Sequence, residues 1–329
     1  MTRPILVLAL VATLFSCTKK DDASIIWIYT SLYKDTVIDV QTQLEKAFPD
    51  VKVQFYQAGS EEVAAKVQAE NLSGKIQADI LISSDRFWYE DMSEQKKLVA
   101  YKPQGSDQVD AVFKHPDNFY TTVSFPIMVI AYNSETIEAK NAPKTFKELT
   151  DNKWKDKVSI GSPLASGTSF TTVSFLVEKY GWDYFSVLRK NNLIAEGGNS
   201  GVVRRLQSGE RPVGIVLMEN ILRLEKTDPR IKYIIPADGA VIQTNVMALV
   251  KKEKNSTNAQ KIADWFFTTS GQTALTKSFM YSGNNSVKLS GAPEWNNLLK
   301  TAPSWTREFI SKTMKDREKI KDQFSKIIF

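Results

Sequence analysis

Strand-like and helix-like segments alternate along this chain, and their order constrains the fold more than any other feature of the sequence. The first strand, Ile25 to Tyr29, is continuously apolar, as expected in a sheet that is buried on both faces. A helical pattern follows, with Asp35 as its expected N-cap. Further strands are predicted at 51–55 and 79–82, with helices at 61–72 and from Asp85 onward. This β-α-β-α-β order predicts a parallel, doubly wound sheet.

A second unit of the same kind begins near residue 158. Its predicted strands are 158–160, 214–218 and 231–235, with helices that carry Phe170 to Tyr180 and that open at Ser200. Two extended runs, 121–133 and 241–250, are typical of chain crossings between lobes. The expected fold class is α/β, with two doubly wound lobes joined by two extended hinge crossings. The expected bounds are 24–124 and 242–286 for lobe 1 and 125–241 and 287–329 for lobe 2, with outer helices at 265–279 and 305–328.

The N-terminus has the pattern of an exported lipoprotein. Arg3 precedes an apolar run, Ile5 to Phe15, that is shorter than the roughly 20 residues that span a bilayer. The run ends in Leu14-Phe15-Ser16-Cys17, which resembles a bacterial lipobox. We expect a signal peptide at 1–16, a lipid on Cys17 and a tether at 17–23, on the periplasmic face of a bacterial membrane or at the cell surface. An ordinary signal peptide with a chance cysteine is the alternative.

The residue counts argue against several classes of site. Cys17 is the only cysteine and His115 the only histidine, so disulfides, thiolate metal sites and multi-histidine metal sites are not expected. The setting of His115, between Lys114 and Pro116, is typical of a solvated loop, and we expect no metal and no cofactor. The net charge of +6 is spread along the chain. Its densest basic stretch, 312–326, is interleaved with acidic residues, which indicates a solvated helix face and no nucleic-acid partner.

Small polar residues and glycines follow most of the predicted strands. Ligands of open α/β sheets bind beyond the carboxyl ends of the strands, where hydroxyl groups and helix N–H groups donate to oxyanions. The candidate binding residues there are Thr30, Ser31, Gly59, Ser60, Ser83, Ser84, Ser166, Gly167, Thr168, Ser169, Asn199 and Ser200. For any single loop taken alone, N-caps and turns are the favoured explanation. Together the loops predict an anion site, strongest at 166–169, which is not a P-loop because no GK[ST] follows.

Two further positions differ from these loops. Glu219 and Asn220 follow a predicted strand, and a carboxylate would repel an anion but accept hydrogen bonds from a hydroxyl or amine elsewhere on the ligand. The alternative is a surface N-cap for a helix from Ile221. An aromatic wall formed by Tyr33, Trp88 and Tyr89 is conceivable, although burial is expected for the latter two.

A family resemblance lies in the order and spacing of several segments. They are Tyr29-Thr30-Ser31, Ala78-Asp79-Ile80, Ser83-Ser84-Asp85, Ala131-Tyr132-Asn133, Pro163 to Thr168, Gly198-Asn199-Ser200, Gln207 to Glu210, Val213 to Val216, Asn258 to Lys261 and Thr269 to Gln272. From about Ile26 to Ser286 the chain is similar to bacterial ABC-transporter solute-binding proteins of the ferric-iron-binding-like group, extracellular solute-binding family 1. The resemblance implies a type II periplasmic-binding-protein fold and an ABC permease in the inner membrane as partner.

The chain departs from the iron binders of that group at one place. Those proteins have two adjacent tyrosines after the strand that contains Gly214 here, whereas this chain has Glu219 and Asn220. The resemblance therefore implies a cargo closer to phosphorylated sugars or phosphonates. Iron bound through other oxygens is the alternative.

The function expected from these features is non-enzymatic capture of a small anionic solute by a monomer whose lobes close by hinge motion. An exported enzyme is disfavoured, because the sequence offers no nucleophile with a paired base and no metal cluster. A two-lobe sensor or adhesin that feeds no transporter is the other alternative, since capture and sensing use the same kind of cleft.

Overall fold

The computed structural model describes residues 25–253 and 255–329, which form two six-stranded sheets flanked by helices. The predicted signal peptide, Cys17 and the tether lie outside this part. The chain begins with β1 (Ile25–Thr30), α1 (Lys34–Ala47), β2 (Lys52–Gln57), α2 (Ser60–Leu72), β3 (Ile80–Ser83), α3 (Arg86–Glu94) and β4 (Thr121–Phe125). It continues with β5 (Ile127–Asn133), β6 (Val158–Ile160), α4 (Gly167–Tyr180), α5 (Trp182–Lys190), β7 (Ile194–Ala195), α6 (Asn199–Ser208), β8 (Val213–Leu217), α7 (Met218–Leu224), β9 (Ile231–Ile234) and β10 (Val241–Ile242). It ends with β11 (Asn245–Leu249), α8 (Thr257–Trp265), α9 (Thr269–Thr276), β12 (Tyr281–Ser282), α10 (Trp295–Thr301), α11 (Arg307–Lys315) and α12 (Arg317–Ile328).

The first sheet has the strand order β12-β4-β11-β3-β1-β2. Strand β1 is parallel to β2 and β3, as the β-α-β-α-β pattern predicts. Strand β11 is antiparallel to both β3 and β4, and β12 is antiparallel to β4. The β-α-β-α-β unit is therefore parallel as predicted, and the antiparallel pairs come from β11 and β12, which follow the return of the chain from the second sheet.

The second sheet is built on the same principle. Its order is β10-β5-β8-β6-β7, with β9 also paired to β5. Strand β6 is parallel to β7 and β8, whereas β5 is antiparallel to β8, β9 and β10. Every residue of β5, β6 and β8 is buried, which explains their continuous apolar sequences.

The chain crosses between the sheets at two adjacent points. Pro126 separates β4 from β5, since proline has no N–H for the strand ladder. Gln243 and Thr244 separate β10 from β11, and both are buried. The Gln243 N–H donates to the Pro126 carbonyl at 2.8 Å. The two extended crossings thus lie side by side.

Local signals explain where the first helices begin. Val37, Val40 and Leu44 form the buried face of α1. The prediction of Asp35 as its N-cap is wrong, because Tyr33 occupies that position and Asp35 lies in the first turn, where its charge still favours the helix. Asp85 does begin α3 as predicted, since its Oδ1 accepts the Trp88 N–H at 3.2 Å.

The C-terminal helices are not a simple outer layer. Phe324 of α12 lies on α5, with ring centroids of Phe324 and Phe185 5.2 Å apart. Phe309 of α11 lies between the two halves of the molecule, 5.9 Å from Phe87 of α3 and 4.1 Å from Phe175 of α4. None of the described helices is long and apolar enough to cross a membrane.

Helix α10 packs beside the first sheet, although the predicted lobe boundary at residue 286 assigns it to the second lobe. Trp295 of α10 falls in the range 287–329 assigned to lobe 2, but its ring packs on Phe113, Phe125 and Tyr281 beside the first sheet. The expected change of lobe at 286 therefore does not match the packing of α10, and the other lobe bounds stay predictions.

Candidate functional site

A cavity of about 240 Å³ lies between the two halves of the molecule. Its wall is built by residues that follow β1, β2 and β3 on one side and β6, β7 and β8 on the other. Nine of the fourteen ligand-binding residues expected from the sequence line it: Ser31, Gly59, Ser60, Ser84, Ser166, Thr168, Asn199, Ser200 and Glu219. Residues that are far apart in the sequence thus meet at the edge where the strands of both sheets end.

Four helices of at least eight residues begin beside residues that line this cavity: α1, α2, α4 and α6. Helices α2 and α6 follow Gly59 and Gly198, and neither glycine provides a side-chain cap. No side chain therefore occupies the N-cap role that would satisfy a first-turn N–H group. The ends of these two helices are suited to oxygen atoms of a ligand.

The start of α4 has a different arrangement. The Ser166 Oγ accepts the Ser169 N–H at 3.3 Å, so Ser166 is an N-cap as well as part of the cavity wall. The Thr168 Oγ1 lies 3.0 Å from the Ser166 Oγ and accepts the Asn199 Nδ2 at 2.9 Å. The Asn199 Oδ1 is buried and has no partner in the described structure. A chain of uncharged polar groups therefore joins α4 to α6 along the cavity.

The other five predicted residues support the wall without lining it. The Thr30 Oγ1 accepts the Leu32 N–H at 3.0 Å, and the Ser83 Oγ donates to the Tyr89 hydroxyl at 3.3 Å. Ser169 is fully buried. The Gly167 N–H donates to the Ser60 Oγ at 2.6 Å, and the Asn220 Nδ2 donates to the Tyr33 hydroxyl at 3.0 Å. The Gly167 and Asn220 bonds both connect the two halves of the molecule across the cavity.

Several lining residues were not among the binding residues expected from the sequence. They are Leu32, Gln57, Ala58, Pro126, Ala165, Gly198, Leu217, Asn245 and Met280. Pro126 and Asn245 belong to the crossings, and the Asn245 Nδ2 lies 3.1 Å from the Met280 Sδ. No local motif marks such positions, because only the approach of distant segments brings them to the cavity. Ala58 and Gly198 adjoin predicted residues, so the expectation that ligands bind beyond the carboxyl ends of the strands could have included them.

Of the three aromatic residues considered for a cavity wall, one lines the cavity and two are buried. Tyr33 lines the cavity, whereas Trp88 and Tyr89 are buried in α3 as expected. The Arg223 guanidinium lies 4.8 Å from the centroid of the Tyr33 ring and donates to the Thr36 Oγ1 at 3.2 Å. Burial, and next the charge of Glu219, raise the pKa of the Tyr33 hydroxyl. Tyr33 therefore stays protonated and joins α1 to α7.

Glu219 is the one carboxylic acid among the described residues that line the cavity. Its side chain is only 1% exposed and its Oε2 has no hydrogen-bond partner in the described structure. Burial raises its pKa to about 8, although its own N–H and the Arg223 charge oppose the rise. The alternative of a surface N-cap is wrong, because α7 already begins at Met218 and buries Glu219 in its first turn.

His115 lies away from this cavity and is not in a solvated loop, which corrects the expectation from its neighbours. Its side chain is 10% exposed, with Nε2 3.8 Å from the Glu90 Oε2. Burial lowers the pKa of His115, against the opposing effect of Glu90. Within residues 25–253 and 255–329, no three His, Cys, Asp or Glu residues are grouped to hold a metal ion.

We predict that Glu219→Gln alters the pH dependence of stability. A carboxyl whose pKa rises from 4.5 to about 8 on folding binds more protons in the folded state. Wild-type stability therefore falls as the pH rises through that interval, by about 1.4 kcal/mol for each pH unit. Glutamine removes the loss, so the ligand-free variant should gain thermal stability over wild type progressively toward pH 8. The thermal midpoint across this pH range is the measurement.

The matched control for this experiment is Glu225→Gln, which changes an exposed carboxylate beyond the end of the same helix. Its midpoint should run parallel to that of wild type at every pH. Parallel curves for Glu219→Gln and wild type would mean that Glu219 titrates normally.

Solved structures share this fold closely. The periplasmic binding protein AfuA from Actinobacillus pleuropneumoniae, with exogenous fructose-6-phosphate bound, superposes with a TM-score of 0.81 at 23% identity, over 93% of this chain and 98% of that one. Iron-bound HitA from Pseudomonas aeruginosa superposes with a TM-score of 0.78 at 16% identity, over 92% of this chain and 99% of that one. The architecture is therefore the type II periplasmic-binding-protein fold.

Sequence relatives and a family model give the family. A putative 2-aminoethylphosphonate-binding periplasmic protein of Salmonella typhimurium is 25% identical over 240 residues, 69% of this chain and 68% of that protein. A Haemophilus influenzae protein is 25% identical over 236 residues, 68% of this chain and 67% of that protein. The model for bacterial extracellular solute-binding proteins matches residues 75–304. With this match over most of its length and the cavity between its two sheets, the chain belongs to the bacterial extracellular solute-binding proteins.

Proposed function

We propose that this protein captures a small phosphorylated or phosphonate solute between its lobes and presents it to an ABC permease. One observation carries the proposal: the N-termini of α2, α4 and α6 meet at a cavity whose described lining contains no lysine, arginine or histidine. Such a site binds an oxyanion through hydroxyl and N–H donors alone.

The physical basis is the partial positive charge at a helix N-terminus. Unsatisfied first-turn N–H groups and the aligned peptide dipoles together favour a negative group placed at that end. Hydrogen bonds to an ionised acceptor are shorter and roughly twice as strong as neutral ones. Thr168, Ser60 and Ser200 add hydroxyl groups to the same wall. A phosphoryl group has enough oxygen atoms to use donors from several helices at once.

Glu219 supports a cargo that is more than a free anion. Its unpartnered Oε2 is buried in the cavity wall, and a buried oxygen atom without a hydrogen-bond partner costs free energy. A hydroxyl or ammonium group on the same solute would satisfy it. The proposed cargo therefore has a phosphoryl end and a polar remainder.

The comparisons agree with this chemistry. The Salmonella relative is described as a 2-aminoethylphosphonate binder, and the AfuA structure holds fructose-6-phosphate. Both solutes combine a phosphorus oxyanion with an amine or hydroxyl groups. The fold is also shared with iron-bound HitA, so ferric ion is the competing cargo. Among described lining residues, Tyr33 is the one tyrosine, and its hydroxyl already accepts the Asn220 amide.

Capture by hinge motion follows from the placement of the cavity. The wall is complete only when both lobes contribute, and the Ser60–Gly167 and Tyr33–Asn220 hydrogen bonds join them directly. A ligand that contacts both lobes binds the closed state more tightly than the open one, and this difference shifts the population toward closure.

We predict that phosphorylated solutes raise the thermal midpoint of the protein and that Thr168→Val weakens this effect. A ligand present at 100 times its Kd stabilises the folded state by about 2.7 kcal/mol. Removing one hydroxyl that bonds to an anion should weaken binding by about 1–3 kcal/mol. Differential scanning fluorimetry with glucose-6-phosphate, fructose-6-phosphate, 2-aminoethylphosphonate, phosphate and ferric citrate is the measurement.

Thr171→Val is the matched control, because Thr171 lies on the same helix and its hydroxyl is buried without a partner in the described structure. It should bind like wild type. A shift with ferric citrate alone, or equal binding by the two variants, would refute the anion site at α4.

We further propose that Cys17 carries a lipid that holds the protein at a membrane surface. Two or more acyl chains give stable anchoring, whereas one chain gives only marginal binding. Cys17→Ala should therefore move the protein from the membrane fraction to the soluble fraction, as measured by fractionation and immunoblotting. An unchanged distribution would contradict the anchor.

A further inference from the structure

We propose that the C-terminal helix α12 is a latch that favours closure of the cleft even without ligand. Helix α12 is held on the second lobe by apolar packing, with Phe324 against Phe185 at 5.2 Å between ring centroids. The charged groups of Arg317 and Lys321 lie 5.5 and 5.8 Å from the Phe170 ring centroid on α4. These contacts make α12 move with the second lobe.

The same two cations bind carboxylates of the first lobe. The Arg317 Nη2 donates to the Asp85 Oδ2 at 2.6 Å and to the Glu61 Oε1 at 2.7 Å. The Arg317 Nε reaches the Asp85 Oδ2 at 3.1 Å. The Lys321 Nζ donates to the Glu61 Oε2 at 2.8 Å. Asp85 caps α3 and Glu61 lies in the first turn of α2, so these four residues form an ion cluster that joins the lobes, and Glu318 of α12 is its exposed fifth member.

Burial makes this cluster sensitive to the loss of any one of its charges. The side chain of Asp85 is 1% exposed, that of Lys321 9% and that of Arg317 17%. The expectation of a solvated face along 312–326 is therefore wrong for Arg317 and Lys321. Buried ion pairs are screened little by salt, and losing one partner leaves the other charge uncompensated.

The cluster lies beside the proposed anion site. Asp85 and Glu61 directly follow Ser84 and Ser60, which line the cavity. Two carboxylates at this place would repel an anion unless cations neutralised them. Arg317 and Lys321 supply those cations only while the lobes are together, so closure also makes the cavity electrostatically suitable for its cargo.

Gly167 shows how closely the lobes approach at this point. A Cβ on residue 167 would lie 2.8 Å from the Asp85 Cβ and 3.0 Å from the Ser60 Oγ. Two carbon atoms that are not bonded cannot lie 2.8 Å apart, so one of the two lobes would have to shift. Gly167→Ala therefore prevents full closure at the cluster, and this variant provides an open reference state.

The test is single-molecule FRET on the full-length, ligand-free chain. Cys17→Ser removes the only native thiol, and Ala69→Cys and Ser208→Cys place dyes on exposed positions of α2 and α6. Arg317→Gln should move molecules from the high-FRET closed state toward the low-FRET state of Gly167→Ala, with a change of about tenfold in the closed-to-open ratio. Because no ligand is added, the result does not depend on whether the proposed cargo is right.

Lys312→Gln is the matched control. The Lys312 Nζ of α11 pairs with the Glu178 Oε2 of α4 at 2.8 Å. This ion pair does not involve the first lobe. It should leave the FRET distribution unchanged. Glu61→Gln tests the cluster from the first lobe, and adding it to Arg317→Gln should give less than the sum of the two separate shifts, since the residues are in contact.

The outcomes separate clearly. A shift toward low FRET in Arg317→Gln and Glu61→Gln, with Lys312→Gln unchanged, supports the latch. A distribution in Glu61→Gln that is identical to wild type overturns it, even if Arg317→Gln does not fold. Equal shifts in all three variants would also overturn it, because they would reflect loss of surface charge in general.

Discussion

In our proposal, the burial of an oxyanion without a cationic side chain is the constraint on which the rest of this structure depends. Each helix N-terminus carries only about half a positive charge. Several helices must therefore begin at the same place to balance the charge of an oxyanion. Here α2 comes from one lobe and α4 and α6 come from the other. The two sheets must therefore present the carboxyl ends of their strands to each other, and the adjacent crossings at Pro126 and Gln243 keep them in that arrangement.

Closure and binding chemistry depend on the same residues. Ser60 lines the cavity and also accepts the Gly167 N–H from the opposite lobe, while Tyr33 lines it and accepts the Asn220 amide. Separating the lobes would break these bonds and leave the donors to water. The Glu219 Oε2, which has no partner in the described structure, acts in the opposite sense in our proposal, because a ligand group would satisfy it. In our account the hydrogen bonds between the lobes form without a ligand, whereas the polar groups of the cavity wall find all their partners only when the cargo is bound.

Much of this could be predicted from the sequence, because strand order and strand-end chemistry are local properties. The buried strands β3 and β8 have largely apolar sequences, and the residues that follow them in the chain supply Ser84 and Glu219 to the cavity. The error at the start of α1 is local, since Tyr33 and not Asp35 is the N-cap, but most of what the sequence could not predict depends on the approach of distant segments. The direction of β11, the burial of His115 and the lining role of Met280 each depend on partners that no local pattern contains. Arg317 alternates with acidic residues as an exposed helix face does, yet it is paired across the cleft.

The most direct test of the anion site is a crystal structure of the protein with a phosphorylated sugar or phosphonate bound. Our account predicts that the phosphorus atom lies where α2, α4 and α6 begin, with its oxygens bonded to the Thr168 hydroxyl and to first-turn N–H groups of α2 and α6. It also predicts an amine or hydroxyl of the solute within hydrogen-bond distance of Glu219. A phosphoryl group bound outside the cavity, or held chiefly by lysine or arginine side chains, would contradict the account.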